Sequence, residues 1–185
     1  MKLFIHMVSC AAFIVAGAAS PIAQMLPEPH VDLSLGYQAL HIPGQTYPIG
    51  IALGISAGLN NPVRIVGEAG VSIARRTAST YGAGTLTLYY YGAGPRVSRS
   101  AGPVLFYGQL LGGGVRTHAD LVTTAGTRFI DGDNAFMFQP GAGVIVPLTR
   151  RMAAIGEGNY QRAFFKDYGG DNETRVFVGV RTVLR

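Results

Sequence analysis

The chain has 185 residues, a formal net charge of +5 and only 14% charged residues, with 26 glycines, nine Tyr, nine Phe and no Trp. This composition is typical of many strands joined by turns and gives no support to a helical bundle. The basic residues are scattered rather than gathered into a stripe, and no nucleic-acid-reading module is visible, so the sequence excludes nucleic-acid binding.

Residues 1–18 have the three parts of a secretory signal: a basic residue, an apolar run and a group of small residues. Cleavage is predicted after Ala18, with 18–23 as the range of candidate sites. The apolar run is shorter than the roughly 20 residues of a spanning helix, and Cys10 lies too early for a lipoprotein signal. Removal of the signal leaves no cysteine, so no disulfide stabilises the mature chain. Residues 28–185 are predicted to form one domain.

Eight segments of this domain alternate apolar with small or polar residues, and the clearest is Ile49 to Leu59. A period of two predicts a strand with one apolar face, and roughly ten residues is the length that a tilted strand needs to cross a bilayer. In chain order the predicted strands cover residues 31–40, 49–59, 63–74, 85–97, 103–116, 135–148, 152–164 and 174–184.

The connections between these strands alternate in length. The long ones are residues 41–48, 75–84, 117–134 and 166–173, and the short ones are residues 60–62, 98–102 and 149–151. Short periplasmic turns and longer outer loops are typical of outer-membrane barrels, which predicts that both chain ends lie on the periplasmic side. Because an open sheet would expose unsatisfied ladder groups to lipid, we expect an all-β fold, an eight-stranded antiparallel up-and-down transmembrane β-barrel.

The face opposite the apolar one carries three acidic and three basic side chains, whose charges sum to zero. An eight-stranded barrel is narrow enough for side chains to fill it. Buried charges in such a lumen are more often paired than used as an ion path or as catalytic carboxylates. We therefore expect a hydrogen-bonded polar network that plugs the lumen, formed by Asp32, Arg64, Glu68, Gln109, Gln139, Glu157, Asn159, Gln161, Arg175 and Arg181.

Three features fit the pattern poorly. Pro140 lies in mid-strand without an N–H group, so a bulge or a broken ladder bond is expected there. Arg96 shares a face with apolar residues, so the fourth strand is expected to shift its register or to end near Gly94. The chain ends on Arg185, whereas outer-membrane barrels commonly end on an aromatic residue.

The signal, the strand number, the alternation and the loop lengths together resemble the OmpA/OmpX-like family of small eight-stranded outer-membrane β-barrels, over nearly all of residues 28–185. The strand containing Tyr160 and the last strand, containing Gly179, are similar to the closing part of such barrels. The resemblance implies insertion by the barrel-assembly machinery, outer-membrane lipid and lipopolysaccharide as surroundings, no cofactor, and roles from envelope integrity to surface contact. No peptidoglycan-binding domain follows residue 185, so the wall-anchoring role of longer members is not expected. We expect a structural or surface-interaction protein whose outer-loop partner is unknown.

Two functional alternatives concern the lumen and the outer rim. A small-solute pore would need an open lumen. A lipid-A-modifying enzyme would need a Ser or His at the outer interface, but His41 and His118 fall in predicted loops without a matching Ser, so no catalytic residue is assigned. Two acidic runs, Asp131 to Asn134 and Asp171 to Glu173, do not follow the EF-hand pattern and are explained by turn chemistry, so no metal ligand is assigned.

A secreted barrel of the lipocalin type would show the same alternation with its faces reversed, apolar inside and polar outside. The scarcity of Lys on the polar faces and the many glycines there favour the membrane barrel. So does a set of aromatic residues expected to form an outward girdle, namely Tyr37, Tyr90, Phe106, Phe136 and Tyr160.

Overall fold

The computed structural model describes residues 31–60, 62–79, 82–122, 128–166 and 169–184. The predicted signal, its cleavage range and the domain start at residue 28 lie outside the described residues and stay predictions. Within the described ranges, no helix is long and apolar enough to cross a membrane.

All the regular structure in the described residues is β-strand. The strands are β1 (Val31–Ile42), β2 (Gln45–Tyr47), β3 (Ile49–Asn60), β4 (Val63–Ser79), β5 (Gly82–Ala101), β6 (Val104–Val122), β7 (Arg128–Pro147), β8 (Met152–Phe165) and β9 (Gly169–Leu184). Each predicted strand is found, and most are longer than predicted.

The strands form one closed antiparallel barrel in the order β2-β1-β3-β4-β5-β6-β7-β8-β9, with β1 also paired to β9. Tyr37 lies opposite Ile51 on one side and opposite Val178 on the other, which closes the sheet. The short β2 and the following β3 both pair with β1 and differ in register, with Pro48 between them. The Tyr37 hydroxyl donates a hydrogen bond to the Pro48 carbonyl at this break. Since β2 and β3 act as one strand of the wall, the predicted eight-stranded barrel is confirmed.

The two faces of the barrel wall differ as the alternation predicts. Outward side chains are apolar and exposed, including Leu53 at 53% and Ile55 at 50%. Inward side chains include buried polar residues such as Gln38 and Ser72. A lipocalin-type barrel would have the reverse arrangement, so the structure contradicts that alternative.

One residue of the predicted aromatic girdle lies on the wrong face. Tyr90 on β5 points inward and is 3% exposed, whereas its neighbours Tyr89 and Tyr91 are exposed on the outside. The Tyr90 hydroxyl donates to the side-chain oxygen of Gln38 at 2.9 Å, a bond that only the interior offers. The other four predicted girdle residues point outward: Tyr37, Phe106, Phe136 and Tyr160.

The predicted irregularity near Arg96 is also wrong. β5 runs past Gly94 to Ala101, and its register with β4 is unchanged from Arg64–Arg96 to Arg76–Gly84. Arg96 shares a face with apolar residues because that face is the interior, where both kinds of side chain are buried. Between Ala83 and Ala101, the ladder with β6 lacks pairs at Gly94 and Pro95, next to the missing N–H of the proline.

Pro140 interrupts the sheet in the milder of the two expected ways. The pairs Phe138–Arg162 and Gly141–Asn159 keep one register, and the pairs between them are missing. On its other side Pro140 still lies opposite Leu110 of β6. The ladder is therefore broken locally, without a bulge.

Two of the predicted long loops are largely strand. β4 continues to Ser79 and β5 begins at Gly82. Likewise β6 continues to Val122 and β7 begins at Arg128. The alternation fades in these extensions because side chains beyond the bilayer have no lipid to face, while the ladder bonds continue. We call this end of the barrel the hairpin end. The opposite end, where β3 is followed by β4, β5 by β6 and β7 by β8, is the turn end.

The interior at the hairpin end is apolar, which the prediction of a wholly polar lumen missed. Five side chains from four strands lie there, each at most 2% exposed: Leu40, Leu88, Leu111, Val115 and Met137. We call this group the apolar layer. It separates the polar interior from the hairpin end.

Candidate functional site: the lumen and the hairpin end

A compact charge cluster lies in the lumen near the turn end. Arg64 and Arg181 each donate through Nη2 to the same oxygen, Oδ2 of Asp32, at 2.5 Å. The Ser56 hydroxyl donates to this oxygen at 2.9 Å and accepts from Nε of Arg64 at 3.1 Å. All four side chains are buried, so two guanidinium groups share one carboxylate away from solvent.

A second group, which we call the central network, fills the middle of the barrel. Arg175 donates through Nη2 to Glu68 and to Glu157, each at 2.6 Å. Arg96 lies 3.5 Å from a Glu68 oxygen and 3.4 Å from a Glu157 oxygen. Two arginines therefore share two carboxylates in a closed arrangement.

Neutral polar side chains add further hydrogen bonds to these charges. The Gln109 oxygen accepts from Nε and Nη2 of Arg96 at 2.9 and 2.5 Å, and its amide donates to Glu68 at 3.2 Å. Asn159 donates to Glu157 at 2.5 Å, and the Tyr107 hydroxyl donates to Glu157 at 2.6 Å.

The central network continues towards the hairpin end through Arg175. Its Nη1 donates to the Gln38 oxygen at 3.3 Å and to the Tyr90 hydroxyl, and its guanidinium carbon lies 4.8 Å from the Tyr90 ring centroid. The Gln38 amide donates to the Ser72 hydroxyl at 2.9 Å. One arginine thus joins the carboxylates to the polar residues below the apolar layer.

The ten residues expected to form the lumen network do not all come together. Asp32, Arg64 and Arg181 lie in the turn-end cluster, and the central network holds Glu68, Gln109, Glu157, Asn159 and Arg175. Gln139 and Gln161 are buried in the lumen but bond to neither group.

Sequence reasoning missed several network members. Arg96 is the most important. It lies an even number of residues from Gly94 and Tyr90 along β5, and residues of a strand at even spacing point to the same face, which here is the interior. Tyr90 was missed because a phenol ring is apolar enough to be read as a lipid-facing side chain, and Tyr107, although it shares the polar face with Gln109, was not included in the network. The other omissions are short or neutral side chains, namely Gln38, Ser56 and Ser72.

The residues considered for enzymatic or metal chemistry are dispersed at the hairpin end. Nδ1 of His41 lies 2.9 Å from the Thr46 hydroxyl. Asp131 and Asp133 accept from the backbone N–H groups of Gly132 and Asn134 at 2.8 and 2.7 Å. Both acidic runs lie within strands, the first in β7 and the second in β9, so the predicted turns at these positions are wrong. Among the described residues, no group of three or more His, Cys, Asp or Glu side chains could hold a metal ion.

Basic side chains point outward where the apolar wall ends near the hairpin end. Arg75, Arg116 and Arg162 are exposed there on three different strands, and the Arg162 guanidinium lies 5.4 Å from the Phe164 ring centroid. On the β6–β7 hairpin, Arg128 donates to Asp120 at 2.6 and 2.8 Å. These hydrogen bonds lower the pKa of Asp120 and raise the pKa of Arg128.

No family model and no curated protein matches the chain. Solved structures do match it. Ail, the attachment invasion locus protein of Yersinia pestis, in complex with the heparin analogue sucrose octasulfate, is 18% identical, with 82% of this chain and 95% of that chain covered and a TM-score of 0.54. Neisserial surface protein A is 17% identical, with 83% and 96% covered and a TM-score of 0.61.

The chain has the fold of the small eight-stranded outer-membrane β-barrels. Nearly the whole length of each neighbour is covered, so the likeness extends to the complete barrel. At sequence identities of 18% and 17%, the two comparisons show a shared fold.

Proposed function

We propose that the chain is an integral outer-membrane barrel with a structural or surface-interaction role in the cell envelope. The proposal rests on the distribution of side chains between the two faces of the barrel wall. Apolar side chains are exposed on the outside and charges are buried inside, which is the reverse of a soluble barrel. Exposed apolar surface on this scale is stable only against lipid or a partner. Insertion by the barrel-assembly machinery, following removal of the signal at residues 1–18, belongs to the same proposal.

Cysteine labelling in whole cells tests the location and the orientation together. The only cysteine of the sequence, Cys10, lies in the predicted signal, so an introduced thiol is unique in the mature chain. We expect Ile130→Cys, at the hairpin end, to react with a membrane-impermeant maleimide, and Arg150→Cys, at the turn end, to react only after the outer membrane is opened. Recovery of the protein in the soluble periplasm, or the reverse labelling, would overturn the proposal.

The lumen is proposed to be closed to solutes. The turn-end cluster and the central network pair every carboxylate they contain, and the apolar layer lies beyond them. Because the same side chains would have to separate for an ion to pass, we expect no discrete conductance steps in planar bilayers. Regular single-channel openings would instead support the small-solute pore.

The surface role is assigned to the hairpin end. Its outward arginines, at the limit of the apolar wall, fit the anionic phosphates of lipopolysaccharide in the surrounding lipid. Ail was solved in complex with sucrose octasulfate, a polyanion, and we propose a polyanionic ligand of this class for the present chain. We propose no enzymatic activity, catalytic residue or cofactor. Loss of an acyl chain from lipid A on incubation with the purified barrel, followed by mass spectrometry, would contradict this.

A further inference from the structure

Three inward side chains between the central network and the hairpin end have polar atoms that find no partner among the described residues. They are Gln139, Gln161 and Glu173, with exposed fractions of 0%, 0% and 1%. In the described part of the chain, neither the oxygen nor the nitrogen of either amide has a hydrogen-bond partner, and the same holds for Oε2 of Glu173. Buried polar groups in this state cost free energy, so each requires an explanation.

The register of the sheet places these three residues side by side. Gln161 of β8 lies directly opposite Glu173 of β9. The pair Phe138–Arg162 sets Gln139 of β7 opposite Gln161 in the same register. The three side chains therefore form one row across adjacent strands, on the inner face of the wall.

A fourth unpartnered atom lies next to this row. Arg175 follows Glu173 by two residues on the same face of β9, and its Nε has no acceptor among the described residues. On the other side of the row, the next inward residues of β7 and β8 are Met137 and Ala163, both 0% exposed. On β8 the row thus lies between Asn159 of the central network and the apolar Ala163.

The chemistry of these atoms identifies the ligand. The row offers donors from two amides and one guanidinium, and acceptors from two amides and one carboxylate. A metal ion binds acceptor atoms only, so the donors of this row would not contact it. Water both donates and accepts, and it commonly bridges buried polar groups.

The charges inside the barrel favour a neutral ligand as well. The ion pairs of the described lumen contain four arginines and three carboxylates, and the buried Glu173 adds a fourth carboxyl. The four arginines can balance the four carboxylates without an added ion, and a neutral water molecule leaves this balance unchanged.

We propose that Gln139, Gln161 and Glu173 form a buried water-binding site that connects the Glu173 carboxyl to the Nε of Arg175. The site extends the central network towards the hairpin end. Water held there is enclosed by Met137 and Ala163 and exchanges slowly with solvent. The inference is independent of the proposed function, since a surface role does not require internal water.

The first test uses the unmodified chain, labelled with nitrogen-15 and refolded in detergent micelles. We expect water-selective nuclear Overhauser cross-peaks from the side-chain amides of Gln139 and Gln161, with the sign that marks water of long residence time. The Gln161→Met variant assigns one of the two amides by its disappearance. Amide signals without any water cross-peak, showing direct pairing or dry burial, would overturn the proposal.

The second test is the sign of the change in melting temperature in the Gln161→Met variant. If water bridges the row, the apolar replacement removes one of its partners and lowers the Tm by about 3 °C or more. If the amide is dry and unpaired, the same replacement removes a buried polar group and raises the Tm, which would contradict the site. Leu88→Met, at a buried apolar position on β5 outside the row, is the matched control and is expected to change the Tm less.

Discussion

At the scale of single residues, Arg175 is the side chain on which the lumen depends most. It bonds to both carboxylates of the central network and to the Gln38–Tyr90 pair, and its side chain is 1% exposed. Removing one member of a buried ion pair leaves the remaining charges uncompensated. Two carboxylates would be affected in this case.

We therefore expect Arg175→Met to lower the free energy of unfolding by about 3–5 kcal/mol. The measurement is urea unfolding of the refolded barrel in detergent micelles, followed by intrinsic fluorescence. Arg128→Met is the control, because its ion pair with Asp120 is exposed and contributes little. Equal stability of Arg175→Met and the unmodified chain would show that the central network does not stabilise the barrel.

The exposed pair at the hairpin end makes a different prediction, about titration. Hydrogen bonds from Arg128 lower the pKa of Asp120, so this carboxyl stays ionised to lower pH than an isolated aspartate. A lowered pKa in the folded state means that the pair stabilises the hairpin above the ordinary pKa and that this contribution is lost as the pH falls through the lowered value.

We expect Arg128→Ala to return the pKa of Asp120 to the ordinary range. Carbon-13 NMR of the Asp120 carboxyl as a function of pH measures the shift directly. Arg116→Ala, which removes an exposed arginine of β6, is the control and is expected to leave the Asp120 titration nearly unchanged. An identical Asp120 titration in both variants and the unmodified chain would contradict the assigned cause.

The residue scale also shows where sequence reasoning stops. The alternation identifies inward positions, and so it found Arg64, Glu68 and Arg175 without structural information. It misassigned Tyr90, because a phenol suits both a lipid interface and a hydrogen-bonded interior. Only the arrangement of Gln38 and Arg175 around its hydroxyl decides between them.

At the scale of elements, the closing contact between β1 and β9 depends on two facing glycines. Gly36 and Gly179 lie opposite each other, and a Cβ built on Gly179 would come within 2.4 Å of the Leu35 carbonyl oxygen. A Cβ on Gly36 would come within 2.4 Å of the Val178 oxygen and 2.8 Å of the Phe177 ring. Backbone atoms are the obstacle, so a larger residue would push the two strands apart.

We expect Gly179→Ala to destabilise the barrel by about 1–3 kcal/mol, as overpacking of a close contact does. Urea midpoints and the heat-dependent shift in gel mobility report this loss. Gly158→Ala on β8 is the matched control, since a Cβ at Gly158 has no atom within 4 Å. If both variants unfold at the same midpoint, close packing at the β1–β9 contact does not limit stability.

The elements also explain why strand number was predictable and strand length was not. A bilayer imposes alternation only over the part of each strand that it surrounds. Beyond Ile73 of β4 and Tyr89 of β5, ladder pairing continues to Ser79 and Gly82, but the sequence there no longer alternates strongly. Hydrogen bonding between backbones carries no sequence signature, so the hairpin extensions were predicted as loops.

At the scale of the whole molecule, the apolar outward face of the barrel makes the folded protein stable in lipid. Leu53 lies near the middle of β3 on the outward face, with Ile51 and Ile55 on either side along that face. Thr85 of β5 is outward as well, but lies towards the hairpin end. A charge on the lipid face of a barrel costs most at the midplane and little near the interface.

We expect Leu53→Arg to lower the free energy of folding into lipid vesicles by about 2–4 kcal/mol, and Thr85→Arg, its matched control, to cost at most about 1 kcal/mol. Both are measured by denaturant titration of the folded fraction in the presence of vesicles. Equal costs at the two positions would contradict the depth assigned to the wall.

The sequence by itself determined the number of strands, their antiparallel order and the orientation of each face, because alternation with a period of two is a local property that the bilayer enforces. It also identified most of the inward charges. Only the tertiary structure decided which arginine pairs with which carboxylate, that Arg96 joins them and that Gln139 and Gln161 do not. Those outcomes depend on distances across the lumen between strands far apart in the chain, and side chains of the same polarity compete there for the same partners.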